Sequence, residues 1–230
     1  MSGSRPSAQP LRILIGPLPK SLLMLTTERN SVSSDKFTLA RLDTKEQFAC
    51  TASFDCGKQD LNEFFRDDAL PHKQQLLAET YYCQPTTLAK DGLFFPVAFI
   101  SFSNDSIHIE KDERKDIKRI LWKYLSKNIP YPKRNYKAFP AVKIGRLGIM
   151  SAYARQGIGT YLLTMTKDLF ITDNRTGCRF ITVDAYNKPK VIRFYQKNGF
   201  DFLWDMDSNE ETRIMYFDLA RHNITIGPAS

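Results

Sequence analysis

Apolar and polar residues alternate with a period of two over residues 36–42 (KFTLARL), which predicts a first strand. The spacing then becomes helical across 55–70 (DCGKQDLNEFFRDDAL), where Asp60 or a neighbour caps a short helix burying Leu61, Phe64 and Phe65. Pro71 opens a second helical stretch, PHKQQLLAE. Residues 80–87 (TYYCQPTT) and 94–104 (FFPVAFISFSN) are rich in β-branched and aromatic side chains and read as neighbouring strands of a meander. The second half repeats a different rhythm: a strand over 138–150 (AFPAVKIGRLGIM), a helix from about 155 to 172, and an apolar strand over 178–186 (CRFITVDAY), buried on both faces. A short helix over 189–200 (PKVIRFYQKNGF) is closed by Asn198-Gly199. DFLW and TRIMYFDLA finish as a hairpin pair. A meander followed by strand–helix–strand–helix implies an α/β fold with a mixed sheet and at least one parallel pair. No internal repeat is visible.

Charge changes the picture in one place. Residues 111–137 carry ten Lys or Arg against three acids, a net of +7, which is nearly the whole excess of a chain whose formal charge is +8. Ile117, Ile120, Leu121, Tyr124 and Leu125 recur at helical spacing, so part of this segment is an amphipathic helix with a basic outer face. A solvated face is the ordinary reading of such a run, and an RNA-facing surface is the alternative. Lys118, Arg119 and Lys123 are the candidates for that surface.

The remaining bulk properties mainly exclude. A chain of 230 residues, 42% hydrophobic and 25% charged, is long enough for one globular domain with a real core. It has no run of 18 apolar residues, so no conventional membrane-spanning helix is expected. Four scattered cysteines without CxxC spacing and three histidines argue against a zinc site, leaving buried thiols in a reducing, cytoplasmic setting and no metal. Residues 1–23, with Arg5, Arg12, Lys20, four prolines and no acid, read as a disordered leader or as sequence upstream of a start at Met24. The domain expected is therefore 24–222, with a tail over 223–230.

The candidate chemistry lies in ARQGIGTYLL, residues 154–163, where two glycines precede a helix. Glycine inside a helix costs about 1 kcal/mol against alanine. At a helix start, however, the unpaired N–H groups and the positive dipole end make an anion site, and glycine lets a phosphate approach the backbone. Arg155, Gln156, Gly157, Ile158, Gly159 and Thr160 would offer N–H groups, a guanidinium and a hydroxyl to a pyrophosphate. For an isolated GxG, close strand–helix packing is the favoured explanation.

Together, GRLGIMSAYARQGIGTYLL and ITVDAYNKPKVIRFYQKNGF resemble the GNAT superfamily of acetyl-coenzyme A-dependent N-acetyltransferases, closely over about 139–204. The family loop reads Q/R-x-x-G-x-G/A; Gly157 and Gly159 match it, whereas Ala154 stands at the leading position, so Arg155 or Gln156 takes over the polar contact. The resemblance implies a mixed central sheet with a splayed parallel strand pair and flanking helices. It implies that Leu147, Gly148 and Ile149 lie along the pantetheine of acetyl-CoA, and that Asn187 contacts the same arm. It makes Tyr195, in RFYQKNGF, the group that protonates the departing thiolate, with the Ile149 N–H polarising the acetyl carbonyl. The ordinary alternative for Tyr195 is a core aromatic of an amphipathic helix.

Direct attack requires an unprotonated amine. A lysine, near pKa 10.4, would want a general base, whereas an α-amine near 7.7–8.0 needs little help. Asp184 and Glu79 are the carboxylates in the running, and either is equally readable as a structural partner. FDCGKQDLNEFF (54–65) resembles the F-x-C-G-x-x-x-L-N-x-x-L opening of GNAT toxins that acetylate aminoacyl-tRNA, with Phe65 at the last Leu position, which adds charged tRNA as acceptor and an antitoxin as partner. A small-molecule amine, a protein N-terminus, and a non-catalytic CoA-binding domain remain the alternatives, and a homodimer is compatible with each.

Overall fold

The computed structural model describes residues 12–13, 36–108, 138–172, 174 and 177–226. Two compact units are present, one comprising the chain up to Ser101 with Arg146–Leu162, the other Phe102–Gly145 with the chain from Leu163 onward. The basic segment with Lys118, Arg119 and Lys123, and nearly all of the leader, lie outside the described residues. Arg12–Ile13 pairs in parallel with Leu93–Phe94.

Seven strands form a mixed sheet: β1 (Phe37–Arg41), β2 (Glu79–Pro85), β3 (Ala98–His108), β4 (Ala138–Ile149), β5 (Phe180–Tyr186), β6 (Asp201–Phe202) and β7 (Thr212–Asp218). Their order is β1-β2-β3-β4-β5-β7-β6. β1 and β2 are antiparallel, with Leu39 opposite Cys83. β4 and β5 form the parallel pair expected from the sequence, in register from Ala141 opposite Phe180 to Ile144 opposite Val183. β7 lies antiparallel to both β5 and β6. Val183 and the three residues before it are buried, and beyond them exposure alternates, so β5 is buried on both faces only over its first half.

In the first unit, α1 (Lys45–Ala49) starts with a capping box: the Gln47 N–H donates to Thr44 Oγ1 at 3.2 Å, and Gln47 Oε1 accepts from the Thr44 N–H at 3.1 Å. α2 (Gln59–Glu63) runs into a π-helical turn, Phe64–Asp68, and then into α3 (Ala69–Gln74). Here the structure differs from the sequence reading. The cap residue is Lys58, two before Asp60, and it makes no side-chain cap bond. Pro71 sits inside α3 rather than opening it, because the helical path is already established before it. β2 ends at Pro85, and the two threonines after it begin α4 (Thr86–Lys90). Phe54, Phe64, Phe65 and Phe99 form the centre of this unit's core with Leu42, Phe48, Ala69 and Phe94.

α5 (Ile158–Thr172) begins in the first unit and continues into the second. The second unit adds α6 (Pro189–Lys197) and α7 (Leu219–Ile226). Its sheet core gathers Ile107, Phe139, Ala141, Phe180, Leu203 and Tyr216. Phe180 is edge-on to Phe139 and Tyr216, with ring centroids 6.1 and 6.0 Å away.

Candidate active site

The candidate residues of the first unit occupy the end of β4 and the turn leading into α5. β4 closes with the Met150 N–H donating to Val97 C=O at 2.8 Å, immediately after Ile149. The parallel ladder with β5 stops at Ile144, so Leu147, Gly148 and Ile149 are not paired with that strand although both strands run on. Gly148 has a packing reason of its own. A Cβ there would stand 2.9 Å from Phe65 Cε2 and 3.2 Å from the Phe54 ring, inside the distances side chains tolerate.

A short 3₁₀ turn, Ser151–Tyr153, leads into the glycine loop. Arg155 adopts φ +63° and Gly157 φ +82°, two left-handed residues separated by one. Left-handed residues beside ordinary ones are the backbone pattern from which anion-binding concavities are built. For Gly157 the conformation costs nothing, whereas for Arg155 it stores backbone strain of about 1–3 kcal/mol. Helical bonding starts with the Tyr161 N–H donating to Gly157 C=O at 3.0 Å, so the N–H groups of Ile158 and Gly159 have no intrahelical acceptor. α5 therefore begins at Ile158, three residues later than its sequence pattern indicated. Arg155 and Thr160 are exposed, and Gln156 is half-buried. Gln156 Nε2 donates back to Ala152 C=O at 3.3 Å, while its Oε1 is buried with no hydrogen-bond partner among the described residues. One of its two amide hydrogens thus serves the turn itself. Tyr161 fixes the helix start from behind, its hydroxyl donating to Phe37 C=O at 2.6 Å.

The FDCGKQDLNEFF segment braces this turn. Asp55 Oδ1 accepts from the Gly57 N–H at 2.7 Å and from Asn62 Nδ2 at 2.8 Å, and these bonds hold its carboxyl below the usual range. Asn62 Oδ1 accepts from the Cys56 N–H at 2.9 Å and the Cys56 thiol at 3.1 Å. The Asp55 carbonyl in turn accepts the Ser151 N–H at 2.9 Å. Phe54 packs edge-on against Phe65 and Phe99.

In the second unit, Asn187 follows β5. Its N–H donates to Glu211 C=O at 2.8 Å, and its Nδ2 donates to the carbonyls of Ser208 and Glu210, both at 2.9 Å. The amide hydrogens of Asn187 are therefore spent on the 208–211 loop, which leaves its Oδ1 as the group open to a donor. Tyr195 is 6% exposed, on α6, stacked edge-on with Phe194 and Phe200 at 5.0 and 5.4 Å. Its hydroxyl has no hydrogen-bond partner among the described residues, and burial pushes the phenol well above its ordinary range. Burial thus favours the neutral, protonated phenol.

The two carboxylates considered as bases are both in ion pairs. Glu79 Oε2 accepts from Lys73 Nζ at 2.7 Å, and Asp184 pairs with Lys143. No group of His, Cys, Asp and Glu among the described residues is arranged to hold a metal, and no described helix is long and apolar enough to cross a membrane.

Residues 124–200 match the model of the acetyltransferase (GNAT) family. That match spans about a third of the 230-residue chain. Among solved structures, AtaT complexed with acetyl-methionyl-tRNAfMet is similar over 83% of this chain and 99% of its own, at 19% identity and TM-score 0.62. A Tyr→Phe variant of the AtaT toxin bound to the C-terminus of the antitoxin AtaR and acetyl-CoA matches over 84% of this chain and 99% of its own, at 18% identity and TM-score 0.57. A Tyr→Phe variant of KacT matches over 81% and 96%, at 19% identity and TM-score 0.58. No curated protein matches the chain. At these identities the likeness is one of fold: a seven-stranded mixed sheet that includes the parallel pair β4 and β5, flanked by helices.

Proposed function

We propose that this GNAT domain transfers acetyl from acetyl-CoA to the α-amine of an aminoacyl-tRNA. The observation that supports the acetyl-CoA assignment is the left-handed pair Arg155 and Gly157 just ahead of α5, a strained backbone pattern of the kind that receives anions. The donor set fits a pyrophosphate: the N–H groups of Ile158 and Gly159, the exposed guanidinium of Arg155, and no carboxylate in the loop. Gln156 gives one amide hydrogen to Ala152 C=O and has a second to offer, so it stays among the candidate phosphate ligands.

Acetyl-CoA supplies the activated thioester. The amine nitrogen attacks the carbonyl carbon, the new C–N bond forms as the C–S bond breaks, and the Tyr195 phenol gives its proton to the departing sulfur. Tyr195 is reprotonated from solvent as the acetylated nitrogen sheds its extra proton. Burial raises the phenol pKa, which keeps Tyr195 protonated near pH 8, where an α-amine becomes free.

For the acceptor, the ion pairs of Glu79 and Asp184 leave neither carboxylate as a free base, which favours an amine that is substantially unprotonated near pH 8. The aminoacyl ester amine meets that requirement. The basic run 111–137 provides phosphate-binding charge, and the solved complex of AtaT holds an acetylated aminoacyl-tRNA. On the same likeness an antitoxin is the protein partner to seek.

The test is transfer of radiolabelled acetyl from acetyl-CoA into total charged tRNA, with uncharged tRNA as control. Label confined to charged tRNA is expected. Binding of acetyl-CoA without label in either tRNA pool overturns the tRNA reading and directs the search to small amines and protein N-termini.

A further inference from the structure

Lys167 is a lysine in an unusual place. It lies on α5, is 8% exposed, and makes no ion pair with another element among the described residues. Its Nζ donates to Asn198 C=O at 2.7 Å and stands 4.0 Å from the centroid of the Phe217 ring and 5.9 Å from that of Phe200. Burying an ammonium on one carbonyl and two ring faces is costly, and burial pulls its pKa below the usual lysine range, with Asp168 opposing that shift. An apolar side chain would fill the site at lower cost.

The residues it touches are those that hold Tyr195. Asn198 is the C-cap of α6, and the Tyr195 carbonyl accepts from the N–H groups of Asn198 and Phe200 at 3.0 and 3.1 Å. Asn198 Nδ2 donates to Phe194 C=O at 2.8 Å. Gly199 takes φ +82°, and a Cβ there would meet Phe217 at 3.1 Å, so this turn and the Phe217 ring fix each other. Phe200 stacks between Tyr195 and Phe217, at 5.4 and 5.6 Å. One ammonium thus grips both the backbone that ends the Tyr195 helix and the far end of the ring stack against which the phenol leans. A cation at a helix C-terminus also complements the helix dipole.

We infer that Lys167 is a positioning residue, which sets the orientation of the Tyr195 phenol by clamping the Asn198 carbonyl and the Phe200–Phe217 rings. The inference rests on Tyr195 being the proton donor.

The experiment measures kcat and KM for acetyl-CoA, with the acceptor that the labelling experiment returns, in Lys167→Met, Lys167→Arg, Tyr195→Phe and the Lys167→Met, Tyr195→Phe double variant. Lys167→Met, which keeps the stem and removes the charge, is expected to lower kcat about tenfold with KM changed less than about twofold. Lys167→Arg is expected to recover most of that loss. In the Tyr195→Phe background the same change is expected to add less than about twofold, because its target is already gone. Lys167→Gln, which keeps a donor for the carbonyl, replaces Lys167→Met if the latter does not unfold cooperatively. Equal losses in both backgrounds, or unchanged kcat in Lys167→Met beside an impaired Tyr195→Phe, overturn the positioning role alone. Undiminished turnover in Tyr195→Phe overturns the proton-donor reading and this inference with it.

Discussion

The main-chain N–H of Ser151 donates to the carbonyl oxygen of Asp55 at 2.9 Å, which ties the FDCGKQDLNEFF segment to the turn ahead of the glycine loop. Asn62 is the centre of that tie, since its side chain bonds Asp55 and Cys56 together. Asn62→Ala leaves these groups to water and is expected to destabilise the protein by about 1–3 kcal/mol. Because the loosened segment anchors Ser151, acetyl-CoA affinity should fall several-fold as well. Chemical denaturation and calorimetry read the two effects; unchanged affinity in a destabilised variant would confine the segment to folding.

The left-handed backbone of Arg155 separates stability from binding in one side chain. Arg155→Gly relieves the strain while removing the guanidinium, so the melting temperature should hold or rise and acetyl-CoA affinity should drop at least about tenfold, an order typical of one charge-assisted bond pair. Gly157→Val, at φ +82°, is expected to lose both. Full acetyl-CoA affinity in Gly157→Val would show that the loop does not hold the phosphates.

Gly148 tests how tightly β4 is seated on the ring cluster. Gly148→Ala brings a methyl to 2.9 Å from Phe65 and 3.2 Å from Phe54, both buried, and should cost about 1–3 kcal/mol of overpacking. Adding Phe65→Leu should return part of that loss, since the second change opens the space the first one needs. A simple sum of the two losses in the double variant would contradict this packing account.

Much of this architecture is legible along the chain, because its strands and helices carry their own periodicity. Phe37–Arg41, Ala138–Ile149, Phe180–Tyr186 and Pro189–Lys197 all fall where hydrophobic spacing puts them. What is not legible depends on partners distant in sequence. Asn187 spends its amide hydrogens on carbonyls at 208 and 210, and nothing local to Asn187 announces that. The π turn Phe64–Asp68 has no signature distinct from a helix, so the passage of Pro71 into the middle of α3 is unreadable beforehand. Arg155 hides its left-handed φ behind a residue type that rarely adopts it. Lys167 did leave a signal: it stands four residues after Leu163 and three before Phe170, on the apolar stripe of α5, where a charge needs a reason.

Burial fixes the sign of the alkaline response. Tyr195, Cys83 and Cys178 all keep their protons above their ordinary pKa, with the two thiols pushed up to about 12 and about 11 from 9.0. The unfolded chain therefore loses these protons first as pH rises, binds fewer than the folded one, and gains on it. The contribution of these three groups should be level from neutrality to about pH 8.5, the free thiol range, and fall from there toward pH 11, opposed in part by Lys167, whose lowered pKa acts in the other sense. Turnover behaves differently. Its acid limb should follow the acceptor amine, rising toward about pH 8 for an α-amine, and no alkaline limb from Tyr195 should appear below about pH 10. An alkaline limb near pH 8 that vanishes in Tyr195→Phe would contradict the buried, protonated phenol.

The basic face offers the sharpest separation of acceptors. Reversing Lys118, Arg119 and Lys123 to glutamate removes three positive charges from the segment that carries nearly the whole charge excess. If that face meets tRNA, each lost phosphate contact should reduce the slope of log affinity against log salt by about 0.7–0.9. The triple variant should then bind charged tRNA weakly and with a slope shallower by about two to three. Its acetyl-CoA affinity, and any transfer to a small free amine, should be unchanged, because none of the three side chains belongs to the glycine loop or to α6. Equal losses on tRNA and on a small amine would mean that the face supports the fold, and would leave the acceptor to be identified through the α-amine chemistry alone.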